Sequence, residues 1–465
     1  MKTMSLVTSL SVFLCLLSGC SQSSQNQISE THSPIKADFY SQAAHEAQVS
    51  FVAAYETRYK SVAEFKNIPD YEKRNIERNE IGTTITYLFG PLTNREMGGP
   101  KRIQTITVDW SSAYLGDNGF VRINYLYKGL WIISNTLADT FEIPVPYNDR
   151  VVFTKNWLNC TDSSPEHQTQ SFYWYFWDPS RTGCDHNSSQ YQNVTVQVGE
   201  KTINQAQTFP EYTKLIQSAG LKNNLQMTFA FGYVEDASTP NPYTDNDYGM
   251  YEFQRFIKSV RKLGKQLNLT ETAILEKEYN GSVRGDQQIG SRFSGVKDGV
   301  KLTINVVAAA DIDQMELFAK SFAHDHDGFF GWFGHSRVGS GFDAQNFKYM
   351  VESNPNFYSI IPNYQIIYWG GCNSYSYYTT PFFKFKSDIN PKADPTGTKG
   401  LDILANGLPS LFSFNAYNAT VALNALLNWS QPTSYQSIVD TLENNASRNG
   451  TKVLVNILGD EDNSK

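Results

Sequence analysis

The chain reads as an α+β protein of two domains. An N-terminal antiparallel β sandwich-like domain precedes a C-terminal α/β domain whose mainly parallel six-stranded sheet is covered by helices. Three observations predict this. Between residues 82 and about 200, short runs of β-branched and aromatic residues are separated by Gly, Asn, Asp and Pro, the rhythm of antiparallel strands and turns. Beyond about residue 205, apolar runs alternate with helical patterns, the rhythm of βαβ units. The 465 residues, 40% apolar and 14% aromatic, are enough for more than one core.

Composition already excludes several function classes. With 39 Lys+Arg against 46 Asp+Glu and a net charge of −7, the chain lacks the clustered cations that bind nucleic acid phosphates. A mean hydropathy of −0.42 and a single long apolar run, at the very start, exclude a multi-span membrane protein.

That run follows Met1-Lys2-Thr3 and continues to Leu17, the pattern of a secretory signal and too short for a spanning helix. It ends in Leu17-Ser18-Gly19-Cys20, which resembles the lipobox of bacterial lipoproteins; an ordinary signal peptide with a chance Cys is the alternative. The resemblance implies removal of residues 1–19, diacylation of Cys20 and attachment to a membrane through that lipid alone. Residues 20–36 then read as a polar tether. Ser21, where an Asp would imply retention at the inner membrane, favours the outer membrane. The expected location is the bacterial cell envelope, facing the periplasm or the surface.

The first domain is expected over 37–205. A helix is expected over 38–65 from its Ala, Glu and Gln with spaced aromatics. Strands are expected at 83–88, 103–108, 120–127, 130–133 and 193–198. Cys160 and Cys184 lie 24 residues apart in this domain, and in an oxidising compartment they read as a disulfide. A loop of that size contributes about 3 kcal/mol in the chain-entropy picture. The aromatic run Phe172 to Trp177 between them reads as a buried strand, or else as a stacking platform for a ligand.

The second domain is expected over 206–465. Strands at 225–234, 302–309, 329–333, 364–369, 401–404 and 452–458 alternate with helices at 252–267, 311–322, 344–352, 414–427 and 434–445. In such sheets ligands bind beyond the carboxyl ends of the strands, and two of these strands end in reactive side chains. The third runs through Gly334 into His335-Ser336-Arg337, and the fourth through Gly370-Gly371 into Cys372-Asn373. The intervening residues suit one crossover helix between neighbouring parallel strands, so imidazole and thiol can meet. A thiolate attacks a carbonyl, and a neighbouring His lowers the thiol pKa or protonates the leaving amine. Backbone N–H groups near Gly371, Cys372 and Ser336 can hold an oxyanion.

At these residues the chain resembles the caspase-like clan of cysteine peptidases, which includes caspases, legumain, gingipains and clostripain. There, one apolar strand ends in His-Gly and the next ends in a small residue and Cys, on a six-stranded α/β sheet. The resemblance spans roughly 225–458. It implies Cys372 as nucleophile, His335 as acid/base, a peptide or protein substrate, and no cofactor or metal. Ser336 departs from it, standing where the clan has Gly. Two alternatives remain open. One is a surface binding protein that keeps the fold without the activity, and the other is a metal-dependent hydrolase using His324, His326 and His335. Gly339-Ser340-Gly341 lacks the Lys of a phosphate loop. Asp343 lies in the loop expected to border the cleft and does not by itself argue for a basic substrate residue.

Overall fold

The computed structural model describes residues 41–98, 100–152, 157–161, 177–201, 208–234, 241–278, 287–309, 314–336, 344–460 and 463. The signal 1–19, Cys20, the tether 20–36, residues 172–176 of the aromatic run and the loop 337–343 with Gly339 to Gly341 and Asp343 lie outside the described residues.

Strands β1 (Ala44–Glu56), β2 (Pro100–Leu115), β3 (Val121–Ser134), β4 (Thr140–Pro146) and β5 (Tyr191–Lys201) form one antiparallel sheet in the order β2-β3-β1-β5-β4. A single sheet thus stands where a sandwich was expected, and its inner face is covered by short helices between residues 62 and 94.

Two expectations reverse here. The middle of the segment 38–65 is β1, not helix, and only its end, from Val62, is helical: Ala47, Val49, Phe51, Ala53 and Tyr55 are all buried, a period of two that outweighs helix-favouring composition. Residues 83–88 are not a strand; the helix Ile81–Thr86 occupies most of them. Ile81, Ile85, Leu88 and Leu92 are buried at spacings of three and four, and that helical stripe overrides the β-branched threonines. The two strands expected at 120–127 and 130–133 are one, β3.

The second sheet holds β6 (Asn224–Gly232), β7 (Thr270–Leu275), β8 (Gln288–Lys297), β9 (Val300–Ala309), β10 (Phe329–Phe333), β11 (Gln365–Trp369), β12 (Leu401–Asn406) and β13 (Val455–Leu458), in the order β13-β12-β11-β10-β6-β9-β8-β7. All six expected strands are present, but the sheet is eight-stranded and mixed, not six-stranded and mainly parallel. β9, β6, β10, β11 and β12 run parallel, while β13 and the β7–β8 hairpin are antiparallel. The hairpin escaped the pattern because the first four residues of β7 are exposed, leaving no apolar run to read.

Helices cover both faces. α1 (Tyr248–Leu267), α6 (Asn415–Leu426) and α7 (Tyr435–Arg448) pack on one side through Phe253, Phe256, Leu423 and Leu442. α2 (Gln314–Ala319), α3 (Ala344–Ser353), α4 (Ser374–Tyr378) and α5 (Thr380–Ile389) pack on the other through Phe318, Phe347, Tyr375 and Phe382. Each fully buried aromatic contributes about 1.5–3 kcal/mol of transfer free energy. No helix among the described residues is long and apolar enough to cross a membrane.

Both sheets lie within one compact unit, Ala37–Lys465. Ile132 of β3 belongs to the same apolar cluster as Trp369, Tyr375 and Ile403, and the Tyr375 hydroxyl donates to the Glu46 carboxylate of β1. The first sheet is therefore anchored to α4, the helix that follows Cys372.

Candidate functional site

β10 and β11 are hydrogen-bonded neighbours, with Trp332 opposite Trp369. Gly370 N–H continues the ladder to Trp332 O at 2.8 Å. Their carboxyl ends therefore leave the sheet together, one into His335-Ser336 and the other into Gly371-Cys372. Gly371 is fitted against the neighbouring exit. A Cβ there would lie 2.9 Å from Gly334 O and 3.1 Å from Ser336 N, and would overlap Ser336 Oγ. Only glycine allows that approach.

His335 is half-buried. Its Nε2 lies 3.3 Å from the Val234 carbonyl just past β6. A carbonyl can only accept, so a hydrogen bond at this contact is one that Nε2–H donates. Val234 is itself fixed, because its N–H donates to the Asp247 carboxylate at 2.9 Å. Asp247 also caps α1 by accepting from Gly249 N at 2.7 Å and Met250 N at 3.1 Å. The expected helix at 252–267 starts earlier because of this cap. On the other side, the Phe412 ring meets the imidazole edge to face at 4.9 Å between centroids.

Cys372 is the free cysteine among the described residues. Its Sγ lies 3.6 Å from the Ser410 carbonyl, within reach of a weak S–H···O hydrogen bond. Burial pushes the thiol above its ordinary pKa, so the resting group is S–H and needs a base to attack. Ser410 and Phe412 belong to the same loop after β12, so one wall touches both Cys372 and His335. Behind the thiol the backbone is locked. Asn406 Nδ2 donates to Gly370 O at 3.1 Å and Gly371 O at 3.2 Å. Ser374 Oγ donates to Trp369 O at 2.6 Å and accepts Asn406 N–H at 2.8 Å.

The other candidate residues fall elsewhere. Cys160 and Cys184 form the expected disulfide, with Cα atoms 4.6 Å apart. Trp177, the described end of the aromatic run, is buried and donates from Nε1 to His186 Nδ1 at 3.0 Å. Cys160, Cys184 and His186 are the one group among the described residues with metal-ligand spacing, but both sulfurs are committed to the disulfide. His324 stacks on Phe357 and sits 2.5 Å from Asp325. His324 and His326 precede β10 while His335 follows it. An extended strand of this length holds them about 17 Å apart, so His335 cannot join them around one ion.

Residue-type reasoning missed Val234, the Ser410–Phe412 wall and Asn373. The first two act through backbone or shape and carry no residue-type signal. Asn directly after the thiol at a strand-to-helix turn does carry one, since Asn tolerates the left-handed backbone such turns use. Comparison with family models, with curated proteins and with solved structures finds no match to this chain.

Proposed function

We propose that the chain is a cysteine peptidase of the caspase-like kind, anchored in the cell envelope by a lipid on Cys20, with Cys372 as nucleophile and His335 as acid/base. The observation that carries this is the parallel pairing of β10 and β11, which brings the His-bearing and Cys-bearing exits side by side with Gly371 against Gly334. The order of the six strands, with the third and fourth adjacent, supports it. The disulfide fits export to an oxidising compartment.

In this reading the His335 imidazole takes the thiol proton as Sγ attacks the scissile carbonyl. The carbonyl electron pair moves onto oxygen, then returns as the C–N bond breaks and the amine leaves with the proton from His335. Water, deprotonated by the same imidazole, hydrolyses the thioester and regenerates the thiol. The raised thiol pKa demands this general base.

A second reading, a binding protein without activity, is favoured by one specific observation: Ser336 presses its side chain against Gly371 where an oxyanion would sit. The experiment separates the two. In the peptidase, Cys372→Ala and His335→Ala each abolish cleavage of a peptide library, and iodoacetamide labels native protein at Cys372. Cleavage that survives in Cys372→Ala rules the peptidase out, and a native thiol inert until denaturation favours the binding protein.

A further inference from the structure

Asn373, directly after the thiol, has features that the fold does not require. Its backbone is left-handed, φ 49° and ψ 27°, where glycine is the least strained residue. Its side chain is 1% exposed, yet neither Oδ1 nor Nδ2 has a hydrogen-bond partner. A buried amide without partners costs about 1–3 kcal/mol, so a partner that it meets only during a reaction recovers that cost. The Ser336 and Ser410 hydroxyls, both from segments bordering the dyad, are also buried without partners.

The backbone narrows what Asn373 can do. At a strand–nucleophile–helix turn, the N–H following the nucleophile is a natural oxyanion donor. Here that N–H is engaged, donating to Leu408 O at 3.2 Å. The side-chain Nδ2 is the hydrogen-bonding group this residue has left. Asn456, opposite Ala405 on β12, also has an amide without partners, but it does not adjoin the thiol.

We propose that the Asn373 carboxamide is a catalytic hydrogen-bond donor to the oxyanion formed when Cys372 attacks a carbonyl, replacing the backbone N–H that Leu408 occupies. This rests on the peptidase reading. The group is preorganised, desolvated and unpaired until the tetrahedral species appears, the condition under which such donors contribute most.

The test uses two probes of the full chain. Iodoacetamide alkylates sulfur by displacing iodide, with no oxyanion. A capped dipeptide aldehyde forms an S–C bond while its carbonyl electron pair becomes an oxyanion that accepts hydrogen bonds or a proton. The best binder of a series ending in Ala, Leu, Phe, Asp or Lys aldehyde is used. Asn373→Gly, which suits the left-handed backbone, is expected to keep the iodoacetamide rate within about threefold of wild type. Its aldehyde affinity is expected to fall about 100-fold, the scale of one lost donor. Asn373→Asp, the same shape with no donor, is expected to bind the aldehyde at least as weakly. Equal aldehyde binding in Asn373→Gly and wild type overturns the donor role alone. A parallel loss with both probes also overturns it, by showing a merely structural residue. Wild-type protein inert to both probes overturns the peptidase reading together with this one.

Discussion

At the amino ends of β10 and β11, buried charge is enclosed in hydrogen bonds. Lys386 of α5 is 1% exposed, and its ammonium donates to Asn363 O and Gln365 Oε1, each at 2.7 Å, and to Ile361 O at 3.0 Å. Gln365 turns its own amide onto Asp327 O at 2.9 Å. The Asp327 carboxylate accepts from Thr228 Oγ1 at 2.6 Å and Ser321 Oγ at 2.7 Å. At the carboxyl ends of the same strands no buried charge is held in this way: the Asn373 amide and the Ser336 and Ser410 hydroxyls are buried without partners, as Asp327 Oδ1 and His326 Nδ1 also are at the amino end. Both ends are polar and crowded, but the amino end closes hydrogen bonds around the Lys386 ammonium, whereas the carboxyl end holds neutral groups without partners. At the amino end, burial brings Lys386 down to about 7 and Asp327 up to about 7.

The largest expected effect comes from breaking the closed end. Lys386→Met keeps the apolar stem but leaves three buried carbonyl oxygens without their donor. Loss of about 3–5 kcal/mol is expected, read as a lowered urea midpoint at unchanged slope. The same variant, where folded, should leave the iodoacetamide rate of Cys372 unchanged. A loss under about 1 kcal/mol would mean that the amino-end network is not closed in the sense argued, and the comparison between the ends would fail.

A smaller effect depends on pH. Asp327 has its folded pKa raised from 3.8 to about 7, chiefly by burial. Its stabilising contribution is thus complete below about 4 and is lost as pH rises through 7. Asp327→Asn, which never ionises, escapes that loss. Its stability relative to wild type should therefore improve between pH 5 and 7, by no more than about 1.4 kcal/mol per pH unit. Urea midpoints of both proteins at pH 5, 6 and 7 check this; a difference constant with pH would show that Asp327 titrates normally. Taking the difference cancels Glu443, which burial also raises to about 7.

The two ends also differ in how far the sequence exposes them. His335 and Cys372 were legible because each terminates a wholly apolar run, Phe329 to Phe333 and Ile366 to Trp369, and such runs mark buried parallel strands whatever the surrounding fold. Lys386 was not legible: on a helix reading Thr-Pro-Phe-Phe-Lys-Phe-Lys, a lysine looks like a solvated face until tertiary contacts bury it. Asp327 likewise stands in Ala-His-Asp-His-Asp-Gly, a polar stretch with nothing to mark one carboxylate as buried. β1 was misread because alanine and glutamate favour helix locally, while the pairing of β1 between β3 and β5 is decided by residues far away in the chain. Pattern reveals strand ends; only tertiary contact reveals which buried polar groups find partners.

The smallest effect tests the open end directly. Ser410 Oγ has no partner, whereas the Ser410 carbonyl is the group that faces Cys372 Sγ. Ser410→Ala removes the hydroxyl and keeps the carbonyl. Because no protein hydrogen bond is lost and a desolvated hydroxyl disappears, stability should stay within about 0.5 kcal/mol of wild type or rise slightly. The iodoacetamide rate should also be unchanged, since the contact to sulfur is made by backbone. Aldehyde affinity is then the informative quantity. If it drops while stability and alkylation hold, the hydroxyl is held unpaired for the bound species, as argued for Asn373. If stability instead falls by more than about 1 kcal/mol, the hydroxyl is already bonded in the free protein, and the carboxyl end is as closed as the amino end.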